Sequence, residues 1–228
     1  NDACQDIYSS LGVDWLNIFA IYRSPVESAT HMLDKHIVKM PTESCQMLHT
    51  NVVAIRYEQE NGRFPTLRES KQYHSERFPD LMIPSMLNHP STIWARESYE
   101  NYVWLYSHAI QLCKEFTARY DKIHGTEQRI LDTPQLTEDD FPISELTPLR
   151  IAMMDKYRIE QNPDEDDWDF VVRSYRHYYL EGKWQFATWR RNRPDWYTVT
   201  YQENMQRKQT EEFNRRWNID VPEDIKEV

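Results

Sequence analysis

At 228 residues the chain is long enough to bury a substantial core without disulfide or metal staples, and one domain is the simplest expectation. Cys4, Cys45 and Cys113 form neither a CxxC pair nor a Cys/His ligand pattern, which argues against a disulfide framework and a zinc site. A reducing cytoplasm is the expected setting, with no metal and no cofactor. No stretch nears the roughly 18 to 20 apolar residues that a bilayer span needs, and the N-terminus lacks the basic and apolar regions of a signal peptide, so no membrane association is expected.

The net charge of −10 argues at first against a polyanionic partner, because phosphate binding needs a positive surface. Its distribution weakens that argument. Asp132 to Asp169 holds twelve acidic and three basic residues, so nearly all of the excess sits in one segment. Between Arg173 and Tyr197 the balance reverses: Arg173, Arg176, Lys183, Arg190, Arg191 and Arg193 stand against Glu181 and Asp195, interleaved with aromatic residues.

Four glycines in the whole chain, with long runs at helical spacing, predict a mainly α fold: a compact single-domain helical bundle with one short N-terminal extended segment. Residues 1–15 read as an N-terminal extension, 16–200 as the helical domain, and 201–228 as a polar C-terminal helix and tail. In chain order, Leu16 to Ile21 is short, apolar and partly β-branched, and predicts a strand or extended piece. Ser24-Pro25-Val26-Glu27 then reads as a capping box with proline at the first helical position. That helix is expected to run toward Met40, with a kink or break at Pro41 and a second helix over about Thr42 to Glu58. From Gly62 to Pro90 the chain reads as irregular. Ser91 is expected to cap one long helix reaching Tyr120, whose apolar stripe includes Trp94, Leu105, Ala109, Leu112 and Cys113. The acidic segment reads as a connection with only short helices, and helices are expected again from Trp168 to Leu180 and from Tyr201 to Trp217.

Three segments carry candidate chemistry. On a helix through Pro41, His36, Lys39, Glu43 and Gln46 fall on one face, flanked by apolar residues, so a carboxylate would sit near an amine and an imidazole. Asp34 lies one turn earlier. The second segment runs from Asn88 through His89 and Ser91 to Arg96 and Asn101, where a helix N-terminus favours an anion. The third holds Arg176, Tyr178, Lys183, Arg193, Trp196 and Tyr197, a mixture of guanidinium groups and aromatic faces suited to phosphate and an unstacked base.

The order of these pieces, and Arg193-Pro194-Asp195-Trp196-Tyr197 above all, resembles the phage pyrimidine-dimer DNA glycosylase (endonuclease V) family. The chain also resembles phage-encoded proteins sharing the patterns Asp-Lys-His-x-Val-Lys-Met and His-Pro-x-x-x-Trp-x-Arg, over Asn17 to Tyr197. The resemblance implies a compact helical enzyme that removes a damaged pyrimidine from DNA and nicks the backbone, with the Arg193 to Tyr197 region on DNA. Two departures bear on mechanism. The family attacks with the α-amine that starts its first short segment, whereas sixteen residues precede Asn17 here. The family's glutamate would fall near Val38, leaving Asp34 and Glu43 as the nearby carboxylates.

The expectation is therefore cleavage of an N-glycosidic bond in DNA or a nucleotide, with Glu43, Asp34, His36 and Lys39 as the catalytic set. His89, Arg96, Asn101, Arg176, Tyr178, Lys183, Arg193, Trp196 and Tyr197 form the expected binding set. Glu43 is expected to face inward beside His36 and Lys39, within reach of Arg96 or Arg176. The alternative is a non-catalytic phage protein that docks on a nucleic acid or a host protein.

Overall fold

The structure is a computed structural model that describes residues 17–217; the expected N-terminal extension, Leu16, Cys4 and the tail beyond 217 lie outside the described residues. The described chain contains α1 (Pro25–Thr30), α2 (Asp34–Asn61), α3 (Leu67–Arg77), α4 (Pro90–Glu97), α5 (Tyr99–Tyr120), α6 (Glu127–Leu131), α7 (Asp167–Gly182) and α8 (Tyr201–Trp217). It is 60% helical, with no strand among the described residues. Helix α2, about 42 Å long at 1.5 Å per residue, is the central element. Helices α3, α4, α5 and α6 all pack on it, α1 packs on α5, and short 3-10 turns interrupt the long connection between α6 and α7.

Residues 17 to 21 are extended, as their apolar β-branched run predicts, and run into the core: Phe19, Ala20 and Ile21 are buried. They pair with no strand. Their backbone is satisfied by side chains instead, as described with the site below.

Several boundaries differ from expectation for local reasons. Helix α1 stops at Thr30 and α2 starts afresh at Asp34, because Arg119 takes the Thr30 carbonyl at 3.0 Å and the Asp34 N–H donates to Thr188 O at 2.8 Å. Pro41 does not break α2. The helix continues through it with buried residues on either side, and His124 Nε2 donates to the nearby Val38 carbonyl at 3.0 Å, one residue from the Ile37 carbonyl that the proline leaves without its helical donor. The single helix expected from Ser91 to Tyr120 is two. Ser98 is extended, caps α5 by accepting the Asn101 N–H, and lets Tyr99 and Glu100 donate to Ile143 and Ser144 of the acidic connection. The cap of α4 is His89, whose Nδ1 accepts the Ser91 N–H, and not Ser91. Helix α3 lies inside the stretch expected to be irregular, opened by a complete Thr66/Glu69 capping box.

Arg119 ties the fold's far end together. Its side chain is fully buried and bonds Glu115 Oε1 and Asp34 Oδ1, each at 2.8 Å. Asn192 Nδ2 donates to the same Glu115 oxygen and the Arg190 N–H to the same Asp34 oxygen, so α2, α5 and the loop after α7 share one charge node. Removing the buried cation leaves Asp34 without a cation and Glu115 with only the half-exposed Arg191, 3.3 Å away. Arg119→Gln is expected to lose about 3 to 5 kcal/mol of stability in denaturant unfolding, whereas a loss under 1 kcal/mol would mean that water reaches the node.

Candidate functional site

The buried segment 17–21 organises the polar groups around it. Asn17 N–H donates to Glu43 Oε2 at 3.1 Å, and Asn17 Oδ1 accepts Ile18 N–H at 2.7 Å and the Tyr175 hydroxyl at 3.2 Å. Asn17 Nδ2 donates to Ala152 O, Ser28 bridges Phe19 O and Ile21 N–H, and Arg176 Nε donates to Ile21 O at 2.9 Å. Five backbone groups of the segment thus find side chains where a neighbouring strand would have paired them.

Glu43 is the carboxylate at the centre. Lys39, one turn earlier on α2, places Nζ at 2.8 Å from Oε1, and the Glu43 side chain is only 13% exposed while that of Lys39 is 50% exposed. Burial raises the Glu43 pKa, with the Lys39 ammonium and the Asn17 amide acting in the opposite sense. A carboxylate desolvated on one side binds a proton more readily than an open one, while the amine on its other side holds it in place.

His36 is buried beside this pair. Its ring stacks on Phe19 at 4.1 Å between centroids, and Nδ1 lies 2.7 Å from the Tyr179 hydroxyl. Burial first, then the nearby Lys39 charge, pushes its pKa down to about 3, so it stays neutral and does not serve as an acid at neutral pH. Tyr178, Tyr179 and Tyr175 are buried on α7, and Lys183 is buried with Nζ over the rings of Phe19 and Tyr178. Desolvation lowers the Lys183 pKa to about 8. Tyr178 and Lys183 are thus inner groups of the site and not surface contacts for phosphate or a base.

The other expected site residues divide by location. Asp34 belongs to the Arg119 node. Arg176 lies over the rings of Tyr22 and Trp196 while holding Ile21 O, and Arg96 bonds Leu87 O; Glu43 meets Lys39, not either arginine, because each guanidinium is committed to a backbone carbonyl. Asn101 is fully buried and clips Trp94 O to Thr147, which gives it no face for a substrate. Tyr197 is buried against Trp189, and Arg193 donates to Tyr197 O and Val199 O, so the Arg-Pro-x-Trp-Tyr run is a folded corner whose exposed parts are the Arg193 edge and part of Trp196. Gln46 bonds Ile83 O and Thr50, away from Glu43.

Asn17, Phe19, Tyr175, Tyr179, Lys35 and Phe186 belong to the site and carried no motif of their own. Lys35 Nζ lies 4.5 Å above Phe186, and Lys35 and Lys39 are exposed. A signal existed for Lys35: at i−4 from Lys39 it extends the basic edge of α2.

No family model matches the chain, and neither curated proteins nor solved structures give a significant match.

The buried histidines set a pH dependence. His108 is fully buried, stacked on Trp104 at 4.9 Å, with both ring nitrogens unpartnered, and its pKa falls to about 3 through burial; that of His89 falls to about 4 for the same reason. The unfolded chain, with histidine pKa near 6.5, therefore takes up protons first as pH falls. The stabilisation is complete above about 6.5 and is lost progressively toward 3 to 4, by up to about 1.4 kcal/mol per pH unit for each histidine. Melting temperature should fall steadily from pH 7 to pH 4, with a shallower slope in His108→Phe; an identical slope in that variant would show that His108 titrates as an open histidine.

Proposed function

We propose that the chain cleaves an N-glycosidic bond of a nucleotide unit in DNA, with Glu43 as the acid and base. The observation that carries this reading is the largely desolvated Glu43 carboxylate, held between Lys39 Nζ and the Asn17 amide at the edge of a polar cluster drawn from three distant segments. In the reaction, Glu43 takes a proton from water as its oxygen bonds to C1′ and the C1′–N bond breaks. The same proton then passes to the departing base. Lys39, beside the carboxylate, favours its ionised form before attack and offsets charge during it.

Three further features support the reading. His36, neutral and fixed by Tyr179, lies two turns before Glu43 and does not compete for its proton. The exposed Lys35 and Lys39 lie on α2 beside the cluster, which suits a phosphodiester backbone. The Asn17 N–H beside Glu43 is also the start of the short segment, the place from which the resembled family attacks with an amine. In this chain that nitrogen is a peptide amide, so water is the nucleophile. A non-catalytic docking module is the second reading, favoured by the fact that both Glu43 oxygens already have protein partners.

Glu43→Gln separates the two. Glutamine keeps the shape and can still accept the Asn17 N–H, and half-exposed Lys39 is left to water, so melting should change little. Base release from damaged or modified pyrimidine oligonucleotides, followed by mass spectrometry, should fall by a factor of about 100 or more. No release from any such substrate by the unaltered chain overturns the catalytic reading. In DNA-binding titrations over salt, Lys35→Ala should reduce the slope by roughly one.

A further inference from the structure

Arg176 on α7 is a cation at the surface whose charge no described carboxylate answers. Its Nε donates to Ile21 O at 2.9 Å, which engages one edge of the guanidinium. Nη1 and Nη2 have no acceptor among the described residues, and neither is shut away from water. Burial lowers the Arg176 pKa, and the Tyr22 phenol, rather than any carboxylate, acts in the opposite sense. The arginines nearby in sequence are engaged differently. Arg173, one turn earlier, holds both oxygens of Glu165, and Arg193 holds the carbonyls of Tyr197 and Val199.

Its neighbours fix the guanidinium and add a donor. The ring of Tyr22 lies 4.7 Å from the guanidinium carbon and that of Trp196 5.2 Å, so aromatic faces hold the planar group. Tyr22 is itself steadied by His31, 4.9 Å away between ring centroids, whose Nδ1 donates to Glu27 O at 2.9 Å. Tyr22, Arg176 and Trp196 are each half-buried, so the group reaches solvent. The Tyr22 hydroxyl, like Nη1 and Nη2, has no partner among the described residues and is open to water, and it lies close enough to Arg176 for the charge to be felt.

We propose that the free end of Arg176 and the Tyr22 hydroxyl form a binding site for a phosphate group. With rings against the guanidinium, a ligand enters in its plane and meets the Nη1 and Nη2 N–H groups side by side, the pattern that two phosphate oxygens fill. The phenol belongs to a ring beside that plane. A third oxygen out of the plane is what a tetrahedral phosphate offers it and a planar carboxylate lacks. Asn17 and Ile21, the residues that Glu43 and Arg176 hold, are up to about 13 Å apart at roughly 3.3 Å per residue, so this site is separate from the Glu43 cluster and stands whether or not Glu43 is catalytic.

The test titrates the full chain with inorganic phosphate, a 5′-mononucleotide, a short oligonucleotide lacking terminal phosphates, and acetate, at constant ionic strength, and follows the Arg176 Nε–H and Tyr22 ring signals by NMR. Both signals should shift with phosphate and hold still with acetate. Shifts from inorganic phosphate and the mononucleotide without the oligonucleotide identify a free phosphate as the ligand; shifts from the oligonucleotide identify the polymer backbone. Tyr22→Phe keeps the ring against Arg176 and His31 and removes only a hydroxyl that no described residue uses, so melting should hold while affinity falls about tenfold, the loss of one hydrogen bond to a charged group. Arg176→Lys keeps the charge and loses the fork, and should weaken binding at least about tenfold. That variant also releases Ile21 O, so the Tyr22 variant decides. Signals that move with none of the three phosphate probes, or equally with acetate, overturn the proposal, as does an unchanged affinity in Tyr22→Phe.

Discussion

An extended segment buried without a sheet is the constraint around which this protein is arranged. Residues 17 to 21 bring backbone amides and carbonyls into a helical core, where unpaired groups cost several kcal/mol each. Helices have no spare backbone donors along their lengths, so the pairing must come from side chains. Glu43 of α2, Ser28 of α1 and Arg176 of α7 each take a share, and Tyr175 of α7 holds the Asn17 side chain. The polar cluster is thus first a solution to a folding problem, and its chemical potential follows from that solution: a carboxylate recruited to receive an amide is a carboxylate removed from water.

Charge is used in two different ways along α2. At its start, Asp34 enters a network with the buried Arg119 and Glu115, to which the half-exposed Arg191 adds a second cation 3.3 Å from Glu115, an arrangement suited to holding elements in place. One turn beyond His36, the Lys39–Glu43 pair is lopsided, with the amine in solvent and the carboxylate largely out of it. Such asymmetry leaves the proton affinity of the carboxylate open to whatever binds. On α4, by contrast, Arg96 has neutral acceptors only.

The sequence made some of the candidate site legible and hid the rest. Helical spacing put His36, Lys39 and Glu43 on one side, and the structure keeps Lys39 and Glu43 in contact. It could not tell that His36 turns to Tyr179, 143 residues away, since that depends on where α7 docks. Tyr197 and Tyr178 looked like stacking surfaces because aromatic and basic residues alternate there. They are core because arginines lie over aromatic rings with their heads bonded to carbonyls, and alternation alone does not distinguish the two arrangements. Helix α3 was legible in its Thr66-to-Glu69 box, yet its polar composition made it resemble a loop.

Local sequence by itself determined the helical class, the extended start, the α1 cap at Ser24 and the positions of α7 and α8. Each of these follows from periodicity, β-branching or capping chemistry within a few residues. The break at Ser98, the continuity through Pro41 and the restart at Asp34 were decided by partners from elsewhere: Ile143 and Ser144, His124, and Thr188 with Arg119. The same holds for the fate of every candidate charge. Whether an arginine or a carboxylate is a strut or a reactive group depends on the acceptor, the counter-charge and the water that the packed chain leaves beside it, and those are set by contacts between residues far apart in sequence.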